Sequence, residues 1–485
     1  MVRVGAVLNL LGAVIALFGL TMIVPLVVSF WLEDGATHAY DEALVLALGS
    51  GAALWFATRR RKAELTPRDG ILMVLLTWLS LPLVASLPLY IHIAELSFTD
   101  AFFEATSGLT ATGATVLSGL DELPPSINLW RALLHWIGGL GIIVLAVAIL
   151  PVLGVGGRQI FRAETPGPLK ETRLTPRVTE TAKGFWIIYV FFTALAAMAY
   201  YLAGMSGFDA VVHAFSTLAL GGFSSHDASL GYFNSPAIEI IAIVFMLVAA
   251  LSYATHFVAW RSRSLRCYLR DAEARAFITV LAVSVLGVAT VLWWNGVYAE
   301  FATALRHAAF NVASVATTLG FSTVDYAQWP IFAPLWMLFL CAFATCSGST
   351  GGGIKMMRAL VMVKQMMRET KLLLHPHARV PIRLGRDIVP NQAVFAVLAF
   401  MTIYGASIAI LVLAMTLSGL DLLTALSATV ASINNTGPGL ARVGPATTYA
   451  VLTDLQTWLL TIAMLLGRLE LLTFLVVFTP GFWRQ

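Results

Sequence analysis

Long apolar blocks separated by short polar connections dominate this chain. The blocks run at about 4–32, 42–58, 71–94, 127–151, 184–204, 236–260, 276–298, 330–358, 391–418 and 449–479. Neither the alternation of a half-buried strand nor the one-sided stripe of a surface helix fits them, whereas helices solvated by lipid do. Residues 4–32 carry no charge, and at ~1.5 Å per residue that block exceeds a ~30 Å hydrocarbon core. A cleaved signal peptide is the competing reading of this start. The block is too long for one, and no small-residue cleavage pattern precedes "WLEDG".

Four further apolar stretches are too short to cross. They read "DAFFEATSGLTATGAT" (100–115), "DAVVHAFSTLALGGFSS" (209–225), "EFATALRHAAFNVASVATTLGFST" (300–323) and "DLLTALSATVASINNTGPGL" (421–440). Each opens on an acidic residue, read as a helix N-cap whose charge suits the positive end of the helix dipole. Each closes on small and polar residues around a glycine. The eleven residues from Asp100 to Thr110 make ~16 Å of helix, about half the core thickness. The pattern therefore predicts re-entrant loops, a helix going halfway in and extended backbone coming back out. Backbone without hydrogen-bond partners is tolerated at that depth only where it is buried in protein or lines a cavity.

The four stretches align on Gly113, Gly222, Gly320 and Gly437, which are 109, 98 and 117 residues apart. Twelve positions earlier each has an alanine: Ala101, Ala210, Ala308 and Ala425. Four units of about a hundred residues, each span, half-helix, glycine turn, span, can surround one axis. Their half-helix C-termini would then sum to roughly −2 elementary charges in mid-membrane, a place that favours a cation. Carbonyl oxygens of the glycine stretches would replace the ion's water shell. Surface loops with glycine for turning are the bland alternative, and four copies at a common period disfavour it.

Composition and charge refine this picture. The chain is 59% hydrophobic and 12% charged, with a mean hydropathy of +0.83. Soluble domains carry roughly twice that charge fraction. The basic residues collect in alternate connections: "RRRK" at 59–62 with Arg68; Arg158, Arg162, Lys170, Arg173, Arg177 and Lys183; Arg261, Arg263, Arg266, Arg270 and Arg275; and Arg358, Lys364, Arg368, Lys371, Arg379, Arg383 and Arg386. The other connections carry Glu33, Asp34, Asp41, Asp121, Glu122, Asp227 and Asp325. The positive-inside rule then puts both termini in the cytoplasm with ten spans. Cys267, Cys341 and Cys346 form no disulfide framework. No stretch is polar enough to be a separate soluble domain, so any cytosolic regulatory machinery is another protein.

Particular motifs carry a resemblance over nearly the whole length: "TSGLTATGATV", "HWIGGLGIIVLAVAILPVLGVGG", "RAETPGP", "LALGGFSSHDASLGYF", "GSTGGGIK", "NNTGPGL" and "LLGRLELLTFLVVFTPGFWR". On these the chain resembles the TrkH/KtrB/HKT superfamily of potassium transporters, and most of all its bacterial TrkH branch. The resemblance implies an all-α integral membrane protein with four M1–pore-loop–M2 repeats around one pseudo-fourfold pore, plus two leading transmembrane helices. The sections would be 1–68 for the leading helices, then pore repeats 69–157, 158–262, 263–388 (with an intramembrane gate loop) and 389–485. It implies potassium uptake across the bacterial inner membrane by a homodimer with one pore per chain, a cytosolic TrkA-like nucleotide-binding ring as partner, and no cofactor on this chain. The ion-holding carbonyls would belong to Ala111 and Thr112, Leu220 and Gly221, Thr318 and Leu319, and Asn435 and Thr436, beside the four glycines. Superfamily members that favour sodium tend to carry serine at the first of these glycines, so Gly113 implies potassium. The turns depart from the strict "TVGYG" of potassium channels, which implies that rubidium is accepted and sodium rejected only in part.

Two anomalies remain. "CAFATCSGSTGGGIKMM" (341–357) interrupts the eighth block with four glycines. A phosphate-binding loop needs glycine-lysine-serine or threonine, and here Ile354 separates Gly353 from Lys355. A broken helix flanking an ion path fits better. The resemblance makes Gly348, Ser349, Thr350, Gly351, Gly352, Gly353 and Lys355 a loop obstructing the pore below the filter. Arg468 lies about twelve residues into the last span, near mid-membrane, where it costs at least ~2.5–3.5 kcal/mol unless it faces protein or water. Glu470 is a poor partner, since i and i+2 point to different helix faces. The resemblance puts its charge in the pore as an electrostatic barrier. His375 and His377 read as solvated, and His226 and Asp227 as shaping the outer mouth. The basic loops at 158–183 and 358–386 suit either docking of the partner ring or anionic headgroups. An enzyme is disfavoured, because no catalytic set falls at a common depth. An organic-solute symporter would show a twofold inverted repeat rather than four copies in one orientation. Nothing suggests nucleic acid.

Overall fold

The computed structural model describes residues 2–60, 65–141, 178–385, 387–469 and 471–484. The basic connection with Arg158, Arg162, Lys170, Arg173 and Arg177 lies outside them, as do Lys62, Arg386 and Glu470. The described residues are helical apart from turns and one short antiparallel hairpin, β1 (Arg383–Leu384) with β2 (Asp387–Ile388).

The chain opens with α1 (Val4–Gly19), which runs through a tight turn into α2 (Ile23–Leu32), and returns as α3 (Thr37–Thr58). A Cβ placed on Gly12 would lie 2.7 Å from Gly51 O, so the backbones of α1 and α3 touch. Such close approach of small residues is how helices associate where lipid removes the hydrophobic drive. The first unit follows with α4 (Pro67–His92), the half-helix α5 (Phe98–Leu109) and α6 (Pro125–Gly139). The second has α7 (Val178–Leu202), the half-helix α8 (Gly207–Ala219), α9 (Pro236–Ala250) and α10 (Tyr253–Ser262). A short helix, α11 (Arg266–Arg270), leads to the third: α12 (Ala272–Trp294), the half-helix α13 (Phe301–Ala316), α14 (Phe332–Cys341), the glycine-rich loop and α15 (Met356–Leu374). The fourth comprises α16 (Asn391–Leu417), the half-helix α17 (Leu422–Ile433), α18 (Asp454–Arg468), α19 (Leu471–Val476) and α20 (Pro480–Trp483).

Among the described residues, five helical stretches are long and apolar enough to cross a membrane: 4–32, α4, the α7 stretch from Ala182, α12 and α16. The pair α9 and α10 makes a sixth if its 93° bend is counted within one span. The sequence reading expected a break only in the eighth block. Among the described residues, α6 ends at Gly139, α9 at Ala250, α14 at Cys341 and α18 at Arg468, each short of the end of its apolar block. At the α9–α10 bend, the backbone groups left over are taken up by the glycine-rich loop. Cys346 N donates to Ala250 O at 3.0 Å, and Tyr253 N to Gly348 O at 2.9 Å. That meets the requirement that irregular backbone at membrane depth be satisfied by protein.

The half-helices have 12, 13, 16 and 12 residues, or ~18–24 Å at 1.5 Å per residue. Their caps differ from the sequence expectation. In α5 and α8 the capping oxygen belongs to Ser97 and Ser206, which accept from the backbone N–H of Asp100 and Asp209 at 3.1 and 3.0 Å. The acids sit in the first turn and accept hydrogen bonds from the serine hydroxyls in return. Asp421 is itself the cap of α17, and Glu300 at the head of α13 makes no side-chain cap bond. The aligned alanines 101, 210, 308 and 425 are all buried. Each half-helix also packs on the second span of the unit before it: α8 on α6, α13 on α9, α17 on α14, and α5 back on α18. The circle closes, so the four units surround one axis.

Candidate ion pathway

The four half-helices end in one shared way. In each, the residue two before the aligned glycine is left-handed: Ala111 (φ 52°), Leu220 (56°), Thr318 (63°) and Asn435 (53°). Its N–H bonds three residues back, and the next N–H bonds five back, as in Thr112 N to Ser107 O (2.9 Å), Gly221 N to Ser216 O (3.0 Å), Leu319 N to Ser314 O (2.8 Å) and Thr436 N to Ala431 O (2.8 Å). This is the Schellman closure of a helix C-terminus, here built with residues other than glycine at the left-handed place. The aligned glycines are left-handed as well, with φ of 82°, 86°, 83° and 90°.

These glycines interlock. A Cβ on Gly113 would lie 2.0 Å from Gly221 O, on Gly222 2.2 Å from Leu319 O, on Gly320 2.3 Å from Thr436 O, and on Gly437 2.7 Å from Thr112 O. Each glycine thus abuts the carbonyl just before the next unit's glycine, and the fourth abuts the first. Any side chain would break the ring. Side chains of Ala111, Thr112, Leu220, Thr318, Leu319, Asn435 and Thr436 are buried in the protein. Among the described residues, the carbonyl oxygens of Ala111, Thr112, Leu220, Gly221, Thr318, Leu319, Asn435 and Thr436 accept no hydrogen bond. Buried backbone acceptors are almost always paired, so a ring of bare oxygens marks a site for a ligand that accepts electron density.

One position behind the ring was not singled out in the sequence. Nine residues before three of the glycines stand Glu104, His213 and Asn311, each buried. Each braces its own returning strand. Glu104 accepts from Thr115 Oγ1 (2.9 Å) and Val116 N (3.0 Å), His213 Nε2 pairs with Ser224 Oγ (2.9 Å), and Asn311 bonds Thr323 through both amide atoms. A larger polar residue recurring at a constant offset from the glycine was the available signal. Glu104 also takes Arg131 Nε at 2.8 Å, a fully buried ion pair. Arg131 reaches on to Ser224 O (3.2 Å) and lies 4.3 Å from the centre of the Phe223 ring, which ties the first two turns together.

All four aligned glycines line one cavity of about 190 Å³. His226 and Asp227 sit on its rim. The His226 ring stacks on Tyr232 with centroids 3.6 Å apart, bonds Asp121 through Nδ1, and lies 3.3 Å from Asp209 through Nε2. Asp227 accepts from Gly119 N and Leu120 N at 3.0 and 3.1 Å. Together they clamp the loop after the first turn to the second unit.

A second cavity, of about 160 Å³, is lined by the loop glycines 348 and 351–353, with Ser349, Lys355, Asn435 and Arg468 among the others. The loop seats against the undersides of the turns. Gly352 N donates to Thr318 Oγ1 at 2.9 Å, Thr350 Oγ1 donates to Leu218 O at 2.9 Å, and a Cβ on Gly352 would lie 1.9 Å from Asn434 O. Lys355 turns back with φ 72°, and its Nζ bonds Gly351 O. Arg468 spans from the fourth unit to two others. It donates through Nη1 to Thr350 O (3.0 Å) and through Nη2 to Gly139 O (2.8 Å) and Gly138 O. The last two carbonyls end α6, where the helix dipole is negative and suits a cation. The guanidinium also lies 5.8 Å from the Trp78 ring centre.

The remaining candidates stay apart from this pathway. His375 and His377 are exposed beyond α15. Among the described residues no group of three or more His, Cys, Asp or Glu can hold a metal ion. The three cysteines are free, and Cys341 and Cys346 are buried.

Known proteins agree with this architecture. Residues 38–484 match the family model described as TrkH, cation transport protein. The chain is 46% identical over 481 residues to the Trk system potassium uptake protein TrkH of Salmonella typhimurium, and 47% identical over the same length to the TrkH of Halomonas elongata. Each comparison covers 99% of both chains. The crystal structure of the potassium transporter TrkH from Vibrio parahaemolyticus superposes with a TM-score of 0.89 at 43% identity, again over 99% of both chains. A closed ring of four half-helix turns and a likeness that runs from end to end place this chain in the TrkH family of cation transport proteins.

Proposed function

We propose that this chain takes up potassium across a bacterial inner membrane, through the ring formed by Ala111–Gly113, Leu220–Gly222, Thr318–Gly320 and Asn435–Gly437. The observation that carries this is the set of eight buried carbonyl oxygens without donors on one closed ring. Such oxygens are what a dehydrated alkali cation needs. The C-terminal ends of four half-helices add roughly −2 charges nearby. The reading is further supported by the likeness to relatives named for potassium uptake.

The 190 Å³ cavity is the outer mouth and the 160 Å³ cavity the inner vestibule. The loop 348–353 with Lys355 is the gate, and Arg468 is its latch, since one guanidinium holds the loop carbonyl of Thr350 to the end of α6. Its charge also repels cations leaving the ring. The sections 1–68, 69–157, 158–262, 263–388 and 389–485 are the leading pair and the four pore repeats. Both termini and the basic connections face the cytoplasm. The chain works as a homodimer with a cytosolic nucleotide-binding ring that moves the loop.

Liposomes containing the purified chain should accumulate labelled potassium and rubidium, with sodium competing weakly. Equal uptake of sodium, or uptake of none, defeats the assignment. Arg468→Ala should raise flux several-fold, because loss of a charged hydrogen bond shifts a two-state latch by about ten-fold. Unchanged flux would remove the latch.

A further inference from the structure

Thr318 is the one β-branched residue among the four left-handed places, with φ 63°. A branched Cβ makes this conformation a genuine outlier, which persists only where the surroundings over-determine it. Two neighbours hold it. On one side its carbonyl belongs to the ring proposed above to bind potassium. On the other its hydroxyl, buried with the whole residue, accepts Gly352 N of the loop at 2.9 Å. Ion and loop therefore grip one strained residue through two different atoms, its carbonyl and its hydroxyl. Thr350 Oγ1 repeats the arrangement toward the second unit, bonding Leu218 O at 2.9 Å, two residues before left-handed Leu220.

We propose that Thr318 is a positioning residue that couples occupancy of the ring to the seat of the loop. A potassium ion drawn to the Thr318 and Leu319 carbonyls fixes the left-handed backbone that presents Oγ1 to Gly352. The seated loop holds the same backbone ready for the ion. By linkage each then favours the other by the same factor. Sodium, which the proposed function has the ring bind more weakly, leaves Thr318 free to relax and the loop less firmly seated. The coupling rests on the ring and gate reading above, but it has a readout that needs no flux.

The test is amide hydrogen exchange at residues 348–353 in the full-length protein in detergent, with potassium or sodium chloride at equal ionic strength. Exchange should be slower in potassium by roughly three- to ten-fold, the worth of one buried hydrogen bond. Thr318→Val keeps the branch and loses the acceptor, so the two salts should become equivalent. Thr318→Ser keeps the acceptor and should retain the salt dependence, which a general folding defect would not allow. Thr350→Val loosens the loop through its bond to Leu218 O and leaves the Gly352–Thr318 contact in place, so exchange should quicken by the same factor in both salts and the potassium-to-sodium ratio should persist. Equal exchange in both salts for the unaltered chain overturns the coupling, as does a salt dependence that survives Thr318→Val or one that vanishes in Thr350→Val. Those results leave a raised flux in Arg468→Ala untouched, so failure of the coupling and failure of the gate are told apart.

Discussion

Glu104 and Arg131 show what single residues contribute here. Both are removed from water, and they find partners in each other, in the returning strands of the first two turns and, for Arg131, in Asn128 of its own helix. Removing one partner strands the other charge. Glu104→Gln should therefore destabilise the protein by about 3–5 kcal/mol, seen as a lowered Tm in detergent. The double variant Glu104→Gln with Arg131→Met should recover much of the loss, because no lone charge remains. A Tm for Glu104→Gln equal to that of the unaltered chain would mean that the pair braces nothing. Arg468 obeys the same rule with a different solution. Its partners are backbone carbonyls from two other units, and sequence spacing does not display those.

Among the elements, the loop after the first turn depends on side chains from the second unit. Burial alone would push the Asp121 carboxyl up. Hydrogen bonds from His226 and from Asp227 N–H, with the His226 charge, hold it below the usual carboxylate value. A depressed carboxylate adds stability that is present above its unfolded value of about 3.9 and is lost as pH falls through the folded one. The Tm gap between the unaltered chain and Asp121→Asn should thus stay constant from about pH 7 to about pH 5 and shrink below about pH 4. A gap unchanged at about pH 3 would show that the clamp does not act through this charge. The half-helices were legible in the sequence as short apolar runs ending at glycine. Their serine caps were missed, because an acid three residues on advertises the same helix start more loudly.

At the scale of the molecule the ring closes or fails as a whole. The contacts that a Cβ would make lengthen round the circle from 2.0 Å at Gly113, through 2.2 Å at Gly222 and 2.3 Å at Gly320, to 2.7 Å at Gly437. Glycine-to-alanine substitutions should follow that order, with Gly113→Ala the most damaging to potassium uptake and Gly437→Ala the least. Gly119→Ala is the control. Gly119 is left-handed at φ 69° but has open space around it, so only the ~1 kcal/mol backbone cost applies, with uptake unchanged. Equal effects at all five positions would mean that backbone conformation, rather than the ring, sets the outcome.

Much of this protein is written in local pattern. Length and apolarity of the blocks, the placement of Lys and Arg, and a glycine recurring about every hundred residues dictate lipid-solvated helices, half-helices and a fourfold plan, because each depends on residues near one another in the chain. Where the second helix of each unit ends shows in those patterns only in part. Gly138, Gly139 and Gly141 mark the end of α6, but α9 carries no glycine at all. Both helices stop because carbonyls at Gly138, Gly139 and Ala250 find donors in Arg468 and Cys346, residues from other units. The grip of the loop on Thr318 is likewise a contact 34 positions apart. Hydrogen bonds across that separation are chosen by packing around the axis, which only the tertiary structure supplies.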